Sequence, residues 1–229
     1  MHSLIILRLG HRNAIRNDLV CLRSSPPVAL LICVLQQHPN EYIRGATLRF
    51  LQKISRDQEL LEPLIPICRS CLEHRHSYVR KNAVFAVYTI YREYEHLIPD
   101  APELIQTFLV AESDATCKRN AFVFLANCAM PKAVEYVAQV HDQIGSLDEL
   151  LQMAIIDVIR LDCKADSTHR VSARLVLCRN ANKNACIQPR WIRCIFELLN
   201  ASSHAVQYEA ATTLTGLTQH AAAVKGSYI

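Results

Sequence analysis

EYIRGATLRFL (Glu41–Leu51) and SYVRKNAVFAV (Ser77–Val87) run in register 36 residues apart. Tyr42 pairs with Tyr78, Ile43 with Val79, Arg44 with Arg80 and Leu48 with Val84. A third copy, ATCKRNAFVFL (Ala115–Leu125), follows 38 residues later, with Cys117 for Val79, Lys118 for Arg80 and Asn120 repeating Asn82. A fainter copy, AVQYEAATTL, sets Val206 and Ala210 where Val79 and Ala83 stand. LLQMAIIDVI, from Leu150, keeps the apolar pattern and little else. A period of this size marks stacked supersecondary units, none of which buries its apolar face alone.

The period within each copy is helical. In the second, Val79, Ala83, Ala86, Val87 and Ile90 form one stripe. The segments before the copies read as helices too. Asp100 with Glu103 and Ser146 with Glu149 have capping-box spacing, and Pro102 is tolerated in a first turn. Pro63, Pro66 and Pro131 mark starts or early turns of the partner helices. Each unit is therefore a helical hairpin, with turns expected near 38–41, 74–77, 112–114 and 201–204. The predicted fold is all-α: a HEAT/armadillo-like α-solenoid of stacked helical hairpins.

Composition agrees and excludes several chemistries. Five glycines, at 10, 45, 145, 216 and 226, cannot supply a Walker A loop, a dinucleotide fingerprint or a nucleophile elbow. The net charge of +4 is spread along the chain, so no nucleic-acid face is expected. The longest apolar run, VALLICVL (Val28–Leu35), is too short to span a bilayer. Ten irregularly placed cysteines in a long apolar chain read as buried thiols in a reducing compartment.

Cys68, Cys71, His74 and His76 read C-x2-C-x2-H-x-H, a zinc-like run. In register, Cys68 falls on Ile32 and Ile195, and Cys71 on Leu35, Leu109 and Leu198. Those are core positions, where a free cysteine acts as a small hydrophobe. His74 matches His38, which has no cysteine pair beside it. Packing is preferred to a metal site, and no cofactor is expected. Arg44, Arg80 and Lys118 recur at one helical position. They form either a basic track for an acidic partner or, preferred here, a ladder bonding turn carboxylates such as Asp114. Asn82 and Asn120 sit inside helices, where asparagine is a poor former, and are expected to bond the adjacent turn. Tyr42 and Tyr78 are expected to pack over the hairpin joint. Trp191 offers no reading, and Asp148/Glu149 and Glu93/Glu95 read as solvated faces rather than acid–base pairs.

QHPNEYIRGATLRFL (37–51), LEHRHSYVRKNAV (72–84), HLIPDAPELI (96–105) and CKRNAF (117–122) closely resemble the coatomer β-subunit family. The resemblance covers about 36–170 and resumes over 190–225. That family belongs with the large adaptor subunits, whose trunks are HEAT-like solenoids. The resemblance implies a cytoplasmic, non-enzymatic subunit of the COPI vesicle coat, peripheral on Golgi membranes and vesicles and acting in retrograde traffic. The partners it implies are the other coatomer subunits and an Arf-type small GTPase in its GTP-bound form. The alternatives are another protein-binding helical scaffold, or a zinc protein using Cys68, Cys71, His74 and His76.

The chain divides on the same grounds. Residues 1–35 form an atypical segment ending in an apolar helix, and 36–229 form a trunk fragment of the longer family protein. Residues 171–189 have no counterpart in the resemblance and read as an unpacked insertion. The period singles out the same segment: Leu151 to Val206 is 55 residues, and removing 19 restores 36.

Overall fold

The computed structural model describes residues 31, 34–35, 38–51, 53, 58–177 and 189–217. Among these there are helices and turns and no strand. The chain clusters into two compact units, Met1–Ala101 and Pro102–Ile229.

In the first unit, α1 (Glu41–Leu51) is followed by the short α2 (Gln58–Leu61) and a 3-10 helix (Glu62–Leu64). Then come α3 (Ile65–Leu72), α4 (Ser77–Glu93) and a second 3-10 helix (Glu95–Leu97). Pro63 and Pro66 sit in the first turns of the 3-10 helix and of α3, where a missing N–H costs nothing. α4 packs on α3 and on α1. All five stripe residues of α4 are buried, as the spacing required. Of the segment before α1, Leu31, Val34 and Leu35 are helical and buried.

In the second unit, α5 (Ala101–Ala111, described here from Pro102) leads to α6 (Ala115–Cys128), α7 (Met130–Val140) and a 3-10 helix (His141–Ser146). α8 (Glu149–Leu177), α9 (Pro189–Leu199) and α10 (His204–Leu217) follow. α6, α8 and α10, the repeat copies, stand in a row: α8 packs on both of the others. α7 and α9 lie against that row and the 3-10 turn between them. Cys117, Leu151 and Val206 hold one register position and are buried, as are Ala121, Ile155 and Ala210 four residues on, and Leu125, Ile159 and Leu214 four further. LLQMAIIDVI, the faintest copy, is thus a full member of the stack.

Hairpin turns fall at 38–40, 73–76, 112–114 and 200–203, where the period placed them. Three local readings are corrected. Asp100 spends its carboxylate on a two-pronged pair with Arg69 of α3, one bond being 2.7 Å. Ser146 lies inside the 3-10 turn, donating to Gln143 O at 2.7 Å, so α8 starts three residues after it. Glu149 accepts instead from Ser203 Oγ at 2.7 Å. Asp100 and Glu149 thus go to tertiary partners, and Ser146 to a carbonyl of its own 3-10 turn, instead of to the caps that local spacing assigned. Trp191, unread in the sequence, is buried in α9 and donates Nε1 to Asp162 Oδ2 of α8 at 2.7 Å. Residues 171–177 are the backbone's last turns of α8, and 178–188 lie outside the described residues.

Candidate functional site

The residues singled out by the repeat gather at the hairpin joints, and five of the described joints share one main-chain bond. Asn40, His76, Asp114, Asp148 and Ser203 each accept, on their carbonyl oxygen, the N–H of the residue four further on. Those residues are Arg44, Arg80, Lys118, Gln152 and Gln207, at 3.2, 3.3, 3.0, 2.9 and 3.0 Å. The first turn of a helix leaves N–H groups without carbonyl partners, so a side-chain acceptor at this place stabilises it. Asn40 Oδ1 accepts from Tyr42 N at 2.9 Å, His76 Nδ1 from Tyr78 N at 3.2 Å, and Asp114 Oδ1 from Cys117 N at 3.0 Å. The Thr116 hydroxyl also donates to Asp114 at 2.6 Å. That bond, chiefly, holds the Asp114 carboxyl down at about 2.

A second clip lies two residues earlier. His38 Nδ1 accepts from Asn40 N at 3.1 Å, and His74 Nδ1 from His76 N at 3.1 Å. Glu112 Oε1 accepts from Ser113 N at 2.8 Å and Asp114 N at 2.9 Å. The histidines of the zinc-like run therefore spend Nδ1 on main-chain N–H groups. Cys68 is fully buried, and burial pushes its thiol up to about 12. Burial also raises Cys71, although the Arg44 guanidinium beside it works the other way. Leu35, Leu109, Ile195 and Leu198, the register equivalents of these cysteines, are all fully buried. Among the described residues no group of three or more His, Cys, Asp or Glu is placed to hold a metal ion.

The recurrent basic position makes a third contact. Arg80 Nη1 donates to His74 O and Arg75 O, both at 2.8 Å. Gln207 Nε2 donates to Ala201 O at 2.7 Å, and Gln152 Nε2 to Ile144 O at 3.0 Å and Gly145 O at 3.1 Å. These acceptors are carbonyls that close the preceding helical turn, whereas the turn carboxylate Asp114 is occupied as a cap. Gln152 and Gln207 carry no charge, so the recurrence of basic residues did not point to them; what they share with Arg80 is a side-chain N–H donor. Arg44 holds the same place on α1. Its Nε is buried with no hydrogen-bond partner among the described residues. Lys118 stands there on α6, half-buried.

Tyr42 and Tyr78 meet at the joint with ring centroids 5.3 Å apart, and the Tyr42 ring lies 5.6 Å from His76. Tyr42 is 62% exposed, and Lys81 Nζ sits 5.0 Å over the Tyr78 ring. Asn82 is buried and donates Nδ2 to Tyr78 O at 2.6 Å, one turn back in its own helix. Asn120 is buried at the matching place on α6. In the second unit, Arg160 of α8 binds α10 through Thr213 Oγ1 at 2.7 Å, Glu209 O at 3.1 Å and an ion pair with the Glu209 carboxylate.

Stacked hairpins with a recurring joint bond and buried, apolar inner faces define a helical-repeat protein. The family model described as Adaptin N terminal region matches residues 21–227, and the chain belongs to that family. Within it, the likeness to coatomer subunit beta read in the sequence holds. The chain is 50% identical over 191 residues to "Coatomer subunit beta" of Pongo abelii, covering 83% of this chain and 18% of that protein. It is 49% identical over 190 residues to the Dictyostelium discoideum protein of the same name, covering 83% and 19%. The chain thus spans less than a fifth of the length of these relatives. A designed armadillo repeat protein, YIII(Dq)4CqI, aligns with a TM-score of 0.45 at 16% identity, covering 88% of this chain and 97% of that chain.

Proposed function

We propose that this chain is a non-enzymatic scaffold segment of the COPI vesicle coat, working through protein–protein contact. The observation that carries the reading is the 50% identity to coatomer subunit beta over 191 residues. Its architecture supports the reading, because a stack of hairpins offers long faces of exposed side chains while its apolar layers stay sealed. The partners are the other coatomer subunits and an Arf-type small GTPase in its GTP-bound form. The place of action is the cytoplasm and the cytosolic side of Golgi membranes and COPI-coated vesicles, with peripheral attachment through the coat. No helix among the described residues is long and apolar enough to cross a membrane.

The test is co-sedimentation of the purified chain with the remaining coatomer subunits, together with retention on immobilised GTPase loaded with GTP or GDP. Assembly with the subunits and stronger retention on the GTP form are the expected results. Failure to join the subunits removes the coat reading and leaves a generic protein-binding solenoid. Equal retention on the two nucleotide forms, where an intact trunk discriminates, removes the GTPase as a partner.

A further inference from the structure

The α3–α4 joint performs, with two imidazoles, the work that carboxylates perform at the α5–α6 joint. His74 Nδ1 takes the N–H of His76, and His76 Nδ1 takes the N–H of Tyr78. At α5–α6, Glu112 takes the N–H of Asp114, and Asp114 takes that of Cys117. A neutral imidazole has one acceptor nitrogen and a protonated one has none. A carboxylate keeps its acceptors until the pH falls far lower, and Asp114 is held at about 2.

We propose that the joint at 73–76 is a proton-sensitive clip, closed while His74 and His76 are neutral and released when they take up protons. The surrounding charges favour release once a proton arrives. Arg44 of α1 and Arg75 of the turn both act on His74 as like charges, and Glu41 of α1 opposes them. Glu41 also attracts a charged His76 and is itself engaged by Arg75 at 2.7 Å. From α4, the Arg80 guanidinium is anchored on the carbonyls of His74 and Arg75, and Lys81 stands over Tyr78. From α3 comes the buried Cys71 thiol, and Glu73 adjoins His74 in the chain. The N-terminus of α4, beginning at Ser77, adds the positive end of a helix dipole. Release loosens the base on which the Tyr42, His76 and Tyr78 rings meet.

The direction in pH follows from burial, which with Arg44 lowers the His74 pKa. A group held neutral by the fold contributes fully above its ordinary value, about 6.5 for histidine. The contribution is lost as the pH falls through the lower folded value, because the unfolded chain then binds more protons.

Amide hydrogen exchange on the full chain at about pH 7.5 and about pH 5.5, either side of the ordinary histidine value, tests this. Protection of the His76 and Tyr78 amides is expected to drop roughly fivefold or more on acidification, the factor for one lost hydrogen bond. Protection of the Asp114 and Cys117 amides should hold, giving an internal control. His74→Gln with His76→Asn, the second borrowing the residue that caps α1 at Asn40, should abolish the drop. Nitrogen shifts of His74 at neutral pH should report the tautomer with its proton on Nε2. Unchanged protection in the native chain, an equal drop in the double variant, or a proton on Nδ1 of His74 would each overturn the proposal.

Discussion

Arg80, Gln152 and Gln207 differ in charge and in length, yet each turns back to the carbonyls that end the preceding helical turn. Carbonyls at a helix end or in the turn after it lack the full set of intrahelical partners, so a reaching donor replaces water there. A charge adds the attraction of a cation for a helix C-terminus, but the geometry asks only for a donor. Arg80→Ala is therefore expected to lower stability by about 1–2 kcal/mol, while Arg80→Gln restores most of it. Urea unfolding of the three proteins measures this, and equal losses for Ala and Gln would make charge, not the carbonyl bond, the active property. The cysteine reading needed no structure. Register with Ile195, Leu109 and Leu198 was enough to place Cys68 and Cys71 in a core layer. What the histidines bind was not legible, since Nδ1 bonding within a turn leaves no spacing signature distinct from metal ligation.

At the scale of the helix, Gly45 is the instructive position. A glycine inside a helix costs roughly 1 kcal/mol against alanine. Here α4 lies so close that a Cβ on Gly45 would stand 2.5 Å from Tyr78 Cδ1 and 3.0 Å from Asn82 Nδ2. The missing side chain lets α1 and α4 approach at the joint where Tyr42 and Tyr78 also meet. Gly45→Ala should therefore destabilise by about 1–2 kcal/mol, because the clash outweighs the gain in propensity. With Tyr78→Ala in the background, the same change should be neutral or stabilising by about 1 kcal/mol. Thermal unfolding of this double-mutant cycle decides it, and additive losses would mean that Tyr78 does not set the approach. In the sequence, Gly45 was visible only as one of few glycines. Its purpose depends on a helix 36 residues away.

For the whole chain, the irregular interval is the one between α8 and α10. Leu151 and Val206 are both buried and stand at one register position of packed helices although 55 residues separate them. Residues 171–177 prolong α8, and α9 opens at Pro189. We retain the proposal that 171–189 is an insertion, on the arithmetic of the period. Deleting it is expected to leave the melting temperature equal or higher, since loop length costs only about 0.6 kcal/mol per doubling. A fall in the melting temperature would instead make the last turns of α8 a structural part of the stack. Trp191 bears on the choice, because its bond to Asp162 fixes the start of α9 against α8 after the interval.

The repeated hairpins, their turns, the buried stripe of the repeat helices and the family were legible in the amino-acid sequence alone. Each rests on local chemistry repeated at a fixed interval: apolar residues at helical spacing, prolines at helix starts, and polar residues at turns. Such features are recorded once per copy, and comparison of copies separates them from chance. Only the tertiary structure decided which donors and acceptors pair. Asp100 and Glu149 had good local caps on offer and went instead to Arg69 and Ser203. Trp191, silent in the sequence, became a buried tie between two helices. The physical reason is common to all three. A side chain's hydrogen-bonding groups are satisfied by whatever packing brings near, and nearness across helices is not written in the spacing of any one of them.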